Sequence, residues 1–242
     1  MTIKISAYLL CFLSVYFSGG SRLFSQKIID ISYRQDSKGA YVFSAYNHAF
    51  CDYVLELNFT RFENLKPDPS LPYYGEIKPG PNKLFSLSPL DPNEPVKFIY
   101  SSSFHKGCMH PRVDSSFTYL LPSGPGKEVQ VYEMTGSDKS SAESGQLRNL
   151  YVLRIKMRPG DTIYAARRGL VTEVEDQDGS NDAGGASAGR ENYIEIIHAD
   201  CSFGHYGILR KNSALVKPGQ AVKPGQPIGL VGGGKYGRGS DI

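Results

Sequence analysis

Short runs rich in strand-forming side chains, broken by proline and glycine, recur along most of the chain. Residues 40–46 are dense in aromatic strand formers, and residues 54–59 alternate apolar and polar positions in part. Residues 96–100 and 116–121 are two further strand-like runs. Between them lie Lys66-Pro67-Asp68-Pro69, Lys78-Pro79-Gly80-Pro81 and Asp91-Pro92-Asn93-Glu94-Pro95, whose fixed or permissive backbones favour turns. Tyr73-Tyr74 falls in a proline-rich stretch expected to be a loop. Short strands with frequent turn signals predict a β-sandwich of immunoglobulin-like architecture over residues 26–122, without the Trp and Cys spacing of true immunoglobulin domains.

A polar, weakly patterned stretch at 135–148 predicts a loop within a linker spanning 123–150. The β pattern resumes at 151–157, turns at Arg158-Pro159-Gly160-Asp161, and continues through 162–166 and 169–174. Residues 176–190, almost all Gly, Ala, Ser, Asp and Asn, read as a loop. Residues 192–198 give the clearest strand of the chain. Two similar turns, Lys217-Pro218-Gly219-Gln220 and Lys223-Pro224-Gly225-Gln226, precede a last run at 228–232. No segment carries a helical period, so the expected class is all-β.

Composition narrows the function classes. The chain is 40% apolar and 21% charged over 242 residues, enough for real cores. Lys4 and Arg22 lie in an acid-free N-terminal stretch, so the rest carries 25 cations against 24 acids, without the basic excess of a nucleic-acid binder. Lys4, the apolar stretch 5–17 and the small residues after it predict a signal peptide over 1–25. That stretch is too short to span a bilayer, and no later one is apolar enough, so a secreted or periplasmic protein with no transmembrane segment in the mature chain is expected. Oxidising surroundings favour a disulfide among the remaining cysteines. Cys51 and Cys108, both in the first half, are the expected pair, with Cys201 left over.

Residues 151–242 carry Pro159-Gly160-Asp161-Thr162-Ile163-Tyr164-Ala165-Ala166, then Asn192-Tyr193-Ile194, His198-Ala199-Asp200, Tyr206-Gly207-Ile208-Leu209 and the paired Lys-Pro-Gly-Gln turns ending at Gly229. In that order and spacing the stretch resembles the lysostaphin/LytM-type zinc endopeptidases, peptidase family M23, which cleave peptide cross-bridges of peptidoglycan. The resemblance implies a LytM-type β-sheet domain, the duplicated hybrid motif, over 151–242. The stretch ahead, with Tyr119-Leu120-Leu121-Pro122, also looks like the leading domain of some secreted bacterial members. In the family, a His and an Asp plus the second His of a closing H-x-H hold zinc, and a His in a Y-x-H-L segment assists. Carried onto this chain, the Asp position is Arg154, the Y-x-H-L His position is Ile208, and the first His of H-x-H is Asp241, with the second beyond Ile242. No His lies between Gly136 and Leu150. A guanidinium has no lone pair for a metal. The resemblance thus implies an incomplete peptidase fold without its cofactor zinc, binding peptidoglycan or regulating a cell-wall hydrolase in a bacterial envelope. Two alternatives stay open: an active zinc endopeptidase with ligands recruited from His198, His205 or Asp241, and a truncated paralogue without function.

Other candidates are weaker. His105, Cys108 and His110 could be metal ligands, or a surface loop with a bonded cysteine. His198, Cys201 and His205 cluster in sequence, and His198, His205 and Tyr206 are candidate groove residues. Gly232-Gly233-Gly234-Lys235 suits a tight turn better than a phosphate loop. Lys156-Met157 resembles the biotin-carrier hairpin in only two residues, and Asn58-Phe59-Thr60 fits a glycosylation sequon.

Overall fold

The computed structural model describes residues 28–67, 71–133, 151–177, 192–233 and 240–241. The expected signal peptide, the 135–148 loop, most of the 176–190 loop and Gly234-Lys235 lie outside them. Every described element is a strand, and no described helix is long and apolar enough to cross a membrane.

The first seven strands are β1 (Ile29–Gln35), β2 (Tyr41–Asn47), β3 (Tyr53–Glu63), β4 (Leu65–Pro67), β5 (Tyr73–Ile77), β6 (Gly80–Pro89) and β7 (Lys97–Lys106). They form two antiparallel sheets, ordered β1-β2-β6-β4 and β5-β3-β7. Alternation decides which side chains meet between them. Along β3, Tyr53, Leu55 and Leu57 are buried, while Val54, Glu56 and Asn58 face outward. Phe43 and Phe85 stack at the centre with ring centroids 4.9 Å apart. The Tyr73-Tyr74 stretch is strand β5 rather than loop. Tyr73 packs on Phe85, and the exposed Tyr74 donates to Glu56.

The second group contains β8 (Gln130–Glu133), β9 (Leu153–Met157), β10 (Thr162–Tyr164), β11 (Gly169–Glu175), β12 (Tyr193–Ile197), β13 (Phe203–Tyr206), β14 (Ala221–Val222), β15 (Pro227–Leu230) and β16 (Ser240–Asp241). Their sheets run β13-β12-β11-β14, β10-β15 and β16-β9-β8. They enclose a separate core that includes Ile155, Met157, Ile163, Ile194, Ile196, Leu209 and Ile228. β8 falls inside the stretch expected to be a linker. Its four residues are exposed, so no apolar period marks it, and pairing with β9 makes it a strand.

Three turns of one design stiffen this region. In each X-Pro-Gly-Gln/Asp unit, proline presets the first corner and glycine takes the left-handed second one, at φ +85 for Gly160, +83 for Gly219 and +76 for Gly225. The fourth residue's amide donates to the first carbonyl (Asp161 to Arg158, Gln220 to Lys217, Gln226 to Lys223). The fourth side chain accepts in return from the first residue's amide. Gly219 also lies against the Phe50 ring of the first group, where an added Cβ would sit 2.6 Å from the ring. Gly219→Ala is therefore expected to cost about 1–2 kcal/mol by strain and crowding, read as a lowered urea midpoint.

The two groups are packed and covalently joined. Ile197 and Phe203 of the β12–β13 hairpin rest against the first core. Lys106, at the end of β7, forms ion pairs with Glu173 and Glu195. The disulfide joins Cys108 to Cys201, whereas Cys51 is free and buried. The expected Cys51–Cys108 pairing is thus corrected. Cys51 is 3% exposed within the first core, while the hairpin places Cys201 beside the end of β7.

Candidate functional site

Arg154 stands in β9 with Tyr132 of β8 directly across from it, and Lys156 faces Gln130 in the same way. Directly opposed residues share a sheet face, so these four side chains occupy one side of the sheet. Tyr132 donates from its hydroxyl to Gln130 Oε1 at 2.9 Å, as i, i+2 neighbours on one face can. Ile155 and Met157 point the other way, into the second core. On the far flank β16 pairs antiparallel with β9, Ser240 opposite Met157 and Asp241 opposite Lys156.

Ile208 follows β13 at the sheet's end. Its φ is +54, a left-handed conformation that a β-branched residue rarely adopts. Backbone contacts hold it there. Its carbonyl accepts from Gly232 N–H at 2.8 Å, and Leu209 bridges Val231. An added Cβ on Gly232 would sit 2.9 Å from the Leu209 carbonyl oxygen, which keeps the approach tight.

Beside this face, Lys127, Glu128, Val129, Gln130, Lys156 and Arg158 line a broad cleft of about 650 Å³. Lys127 is paired with Asp161 at 2.5 Å. That contact and the Arg158 amide hold the Asp161 carboxyl below its ordinary range.

The other candidate residues do not gather into one groove. His198 is 4% exposed, and its Nδ1 lies 2.9 Å from the Arg168 carbonyl oxygen. With a proton on Nδ1 to donate there, Nε2 carries the ring's lone pair, and Nε2 is buried without a partner. Burial lowers the His198 pKa and so favours the neutral ring. Tyr206 is also buried, its hydroxyl accepting from the Ala166 amide. His205 is exposed and stacks on Tyr193 at 4.7 Å, because successive residues of β13 point to opposite faces. Cys108 and Cys201 are spent in the disulfide, which removes both thiols from catalytic or metal roles.

Residues 116–121, expected as a strand, cross the second group as a strap instead. Their backbone bonds are too few for a ladder; Leu120 N–H donates to Ala166 O, and Pro122 O accepts from Tyr164 N–H. The strap is locked through Arg167. This guanidinium lies 3.8 Å from the Phe117 ring centroid and donates to Tyr119 Oη, Asp200 Oδ2 and Ser202 Oγ. Asp200 in turn accepts from Ser202 and from the Asp114 amide. Burial opposes its charge, but these bonds prevail and hold its carboxyl far below the ordinary range. The adjacent cations Arg167-Arg168 were the only sequence sign of this lock, and no period distinguishes them from solvated surface.

The profile of peptidase family M23 matches residues 150–241. This region is an M23 domain. No curated protein and no solved structure shows significant similarity to the chain.

The side chains at the positions that the resemblance assigns to the metal are poor zinc ligands. At the face where the resemblance would put the metal, Arg154, Lys156, Tyr132 and Gln130 stand together, two of them cations, and the one acid that the register brings opposite them is Asp241, across from Lys156. A guanidinium and an ammonium repel a dication and offer it no lone pair. Ile208 adds only hydrocarbon. Among the described residues, one trio of metal-type side chains converges, Asp52, Glu76 and Cys108. It lies outside the M23 region, and its sulfur belongs to the disulfide.

Proposed function

We propose that this chain is a secreted, non-catalytic cell-envelope module that keeps the M23 scaffold to bind peptidoglycan or to regulate a wall hydrolase. One observation carries the reading. Arg154 puts a permanent cation on the face where the family assembles a divalent metal. The conformation of Ile208 supports it, since a strained backbone persists there without a side chain able to exchange protons.

The test takes the purified chain, exposes it to zinc, removes excess metal and measures retention by elemental analysis. Less than about 0.1 zinc per chain is expected, because Arg154 stands at the Asp position and no His lies between Gly136 and Leu150 to join it. Retention on purified sacculi, without release of cross-link fragments, is expected in parallel. Stoichiometric zinc, with cleavage that stops on chelation, would overturn the reading. Absence of both sacculus binding and stimulation of any wall hydrolase would remove its positive half.

A further inference from the structure

The outward face of the β5-β3-β7 sheet is open to solvent, with Tyr74, Ser101, Ser103 and His105 all exposed along it. One row of side chains crosses its three strands. Tyr74 of β5 stands opposite Glu56 of β3, and Glu56 opposite Ser103 of β7. Glu56 ties the row together. Its Oε1 accepts from the Tyr74 hydroxyl at 3.0 Å and from Asn58 Nδ2 at 2.7 Å, and its Oε2 from Ser103 Oγ at 3.3 Å.

These bonds decide how the tyrosine stands. Its hydroxyl is drawn across to the next strand, about 5 Å away, so the ring leans along the sheet. Tyr74 is nevertheless 57% exposed, whereas its neighbour Tyr73 packs on Phe85. The Tyr74 ring thus turns a tethered face to water, with a carboxylate, an amide and a hydroxyl at its edge. A tether made before binding lowers the entropy lost on binding.

The charges around it almost cancel. At the far end of β3, Arg61 and Lys97 pair with Glu63. At the near end, Asp52 and Glu76 share a hydrogen bond, and Lys78 lies close enough to act on Asp52. With Glu56, four acids meet three cations, and His105 adds a cation only when protonated. A polyanion finds no run of unopposed cations here. A cation finds Glu56 already compensated by three donors. An uncharged chain rich in hydroxyls and amides fits what remains. Its C–H face would lie on the Tyr74 ring, and its polar groups would meet Glu56, Asn58 and Ser103.

Resting on the reading of the chain as a peptidoglycan binder, we infer that this sheet face holds the glycan strand. The first group of strands grips the sugar backbone of the wall, apart from the M23 region.

Isothermal titration calorimetry on the full chain tests this with tetra-N-acetylchitotetraose, and with cellotetraose as the counterpart lacking acetamido groups. The acetylated sugar should bind at least about fivefold more tightly, because Asn58 and Ser103 can hydrogen-bond an acetamido group. Its affinity should hardly change with salt. Tyr74→Ala should lose about tenfold or more, while Tyr74→Phe, which keeps the ring, should lose no more than about threefold. Circular dichroism checks the fold of both variants. No binding of the acetylated sugar, equal or tighter binding of cellotetraose, or an unaffected Tyr74→Ala variant would each overturn the inference. Tighter binding of oligolysine than of the acetylated sugar would also overturn it, and would mark a cation-binding face. Zinc content and sacculus retention on the same preparation separate the two proposals. A zinc-free, sacculus-binding chain that ignores the acetylated sugar loses only this inference, whereas a zinc-loaded hydrolase loses the reading beneath it.

Discussion

Cys108→Ser or Cys201→Ser is expected to destabilise the chain by about 4–5 kcal/mol, because the bridge spans 93 residues and long loops lose most when closed in the unfolded state. Denaturant unfolding of the variants against the native chain measures this. The two single variants should be alike, since each removes the same bridge. Cys51 supplies the control. Burial pushes its thiol up to about 12, so in the folded chain carrying Cys11→Ser, which removes the remaining cysteine, Cys51 should resist alkylation. In that same background each single variant should instead carry one reactive thiol, at the partner of the removed cysteine. Alkylation of Cys201 in the otherwise native protein would show that the bridge is paired differently.

Arg167→Met carries the second large effect. The side chains of Arg167 and Asp200 are about a tenth exposed, so removing the cation strands a carboxylate that water reaches poorly. A loss of about 2–3 kcal/mol is expected, together with release of the 116–121 strap to proteolysis. The pH profile separates this from simple loss of packing. Asp200 has a depressed folded pKa, so its contribution is complete above the ordinary carboxylate value and disappears as pH falls through the folded one. His198 also has a lowered folded pKa, but its neutral form is the favoured one. The unfolded chain takes up that proton first, so stability begins to fall below about pH 6.5, the ordinary histidine value. The native chain should thus weaken on acidification in two stages. Arg167→Met should keep the histidine stage and flatten the carboxylate stage. An unchanged carboxylate stage would mean that the Arg167–Asp200 pair contributes little.

Local pattern disclosed those parts of the molecule whose cause is local. Strands β3 and β12 each bury one face, and their side chains alternate accordingly at 53–57 and 193–197. The X-Pro-Gly turns were legible because proline and glycine fix the corner without help from neighbours. The assignment of Arg154, Ile208 and Asp241 to family-site positions rests on the order of motifs around them alone. What stayed hidden depends on contacts distant in sequence. β8 has no buried side to impose alternation. Residues 116–121 have strand-forming side chains but use them on Arg167 and the second core's rim rather than in a ladder. The disulfide pairing follows from where the β12–β13 hairpin docks, which spacing along the chain does not encode. The cleft arises where the 127–130 segment, β9 and the turn after it converge, a meeting of segments that no local pattern encodes.

The docking of Ile197 and Phe203 on the first core has a consequence for how the protein can be made and divided. A gene fragment ending near residue 122 would yield a sandwich with an oily flank and an unmatched thiol at Cys108. Such a product is prone to self-association and to mispaired dimers in an oxidising compartment. The natural unit of folding is therefore the two halves together, maturing as one body.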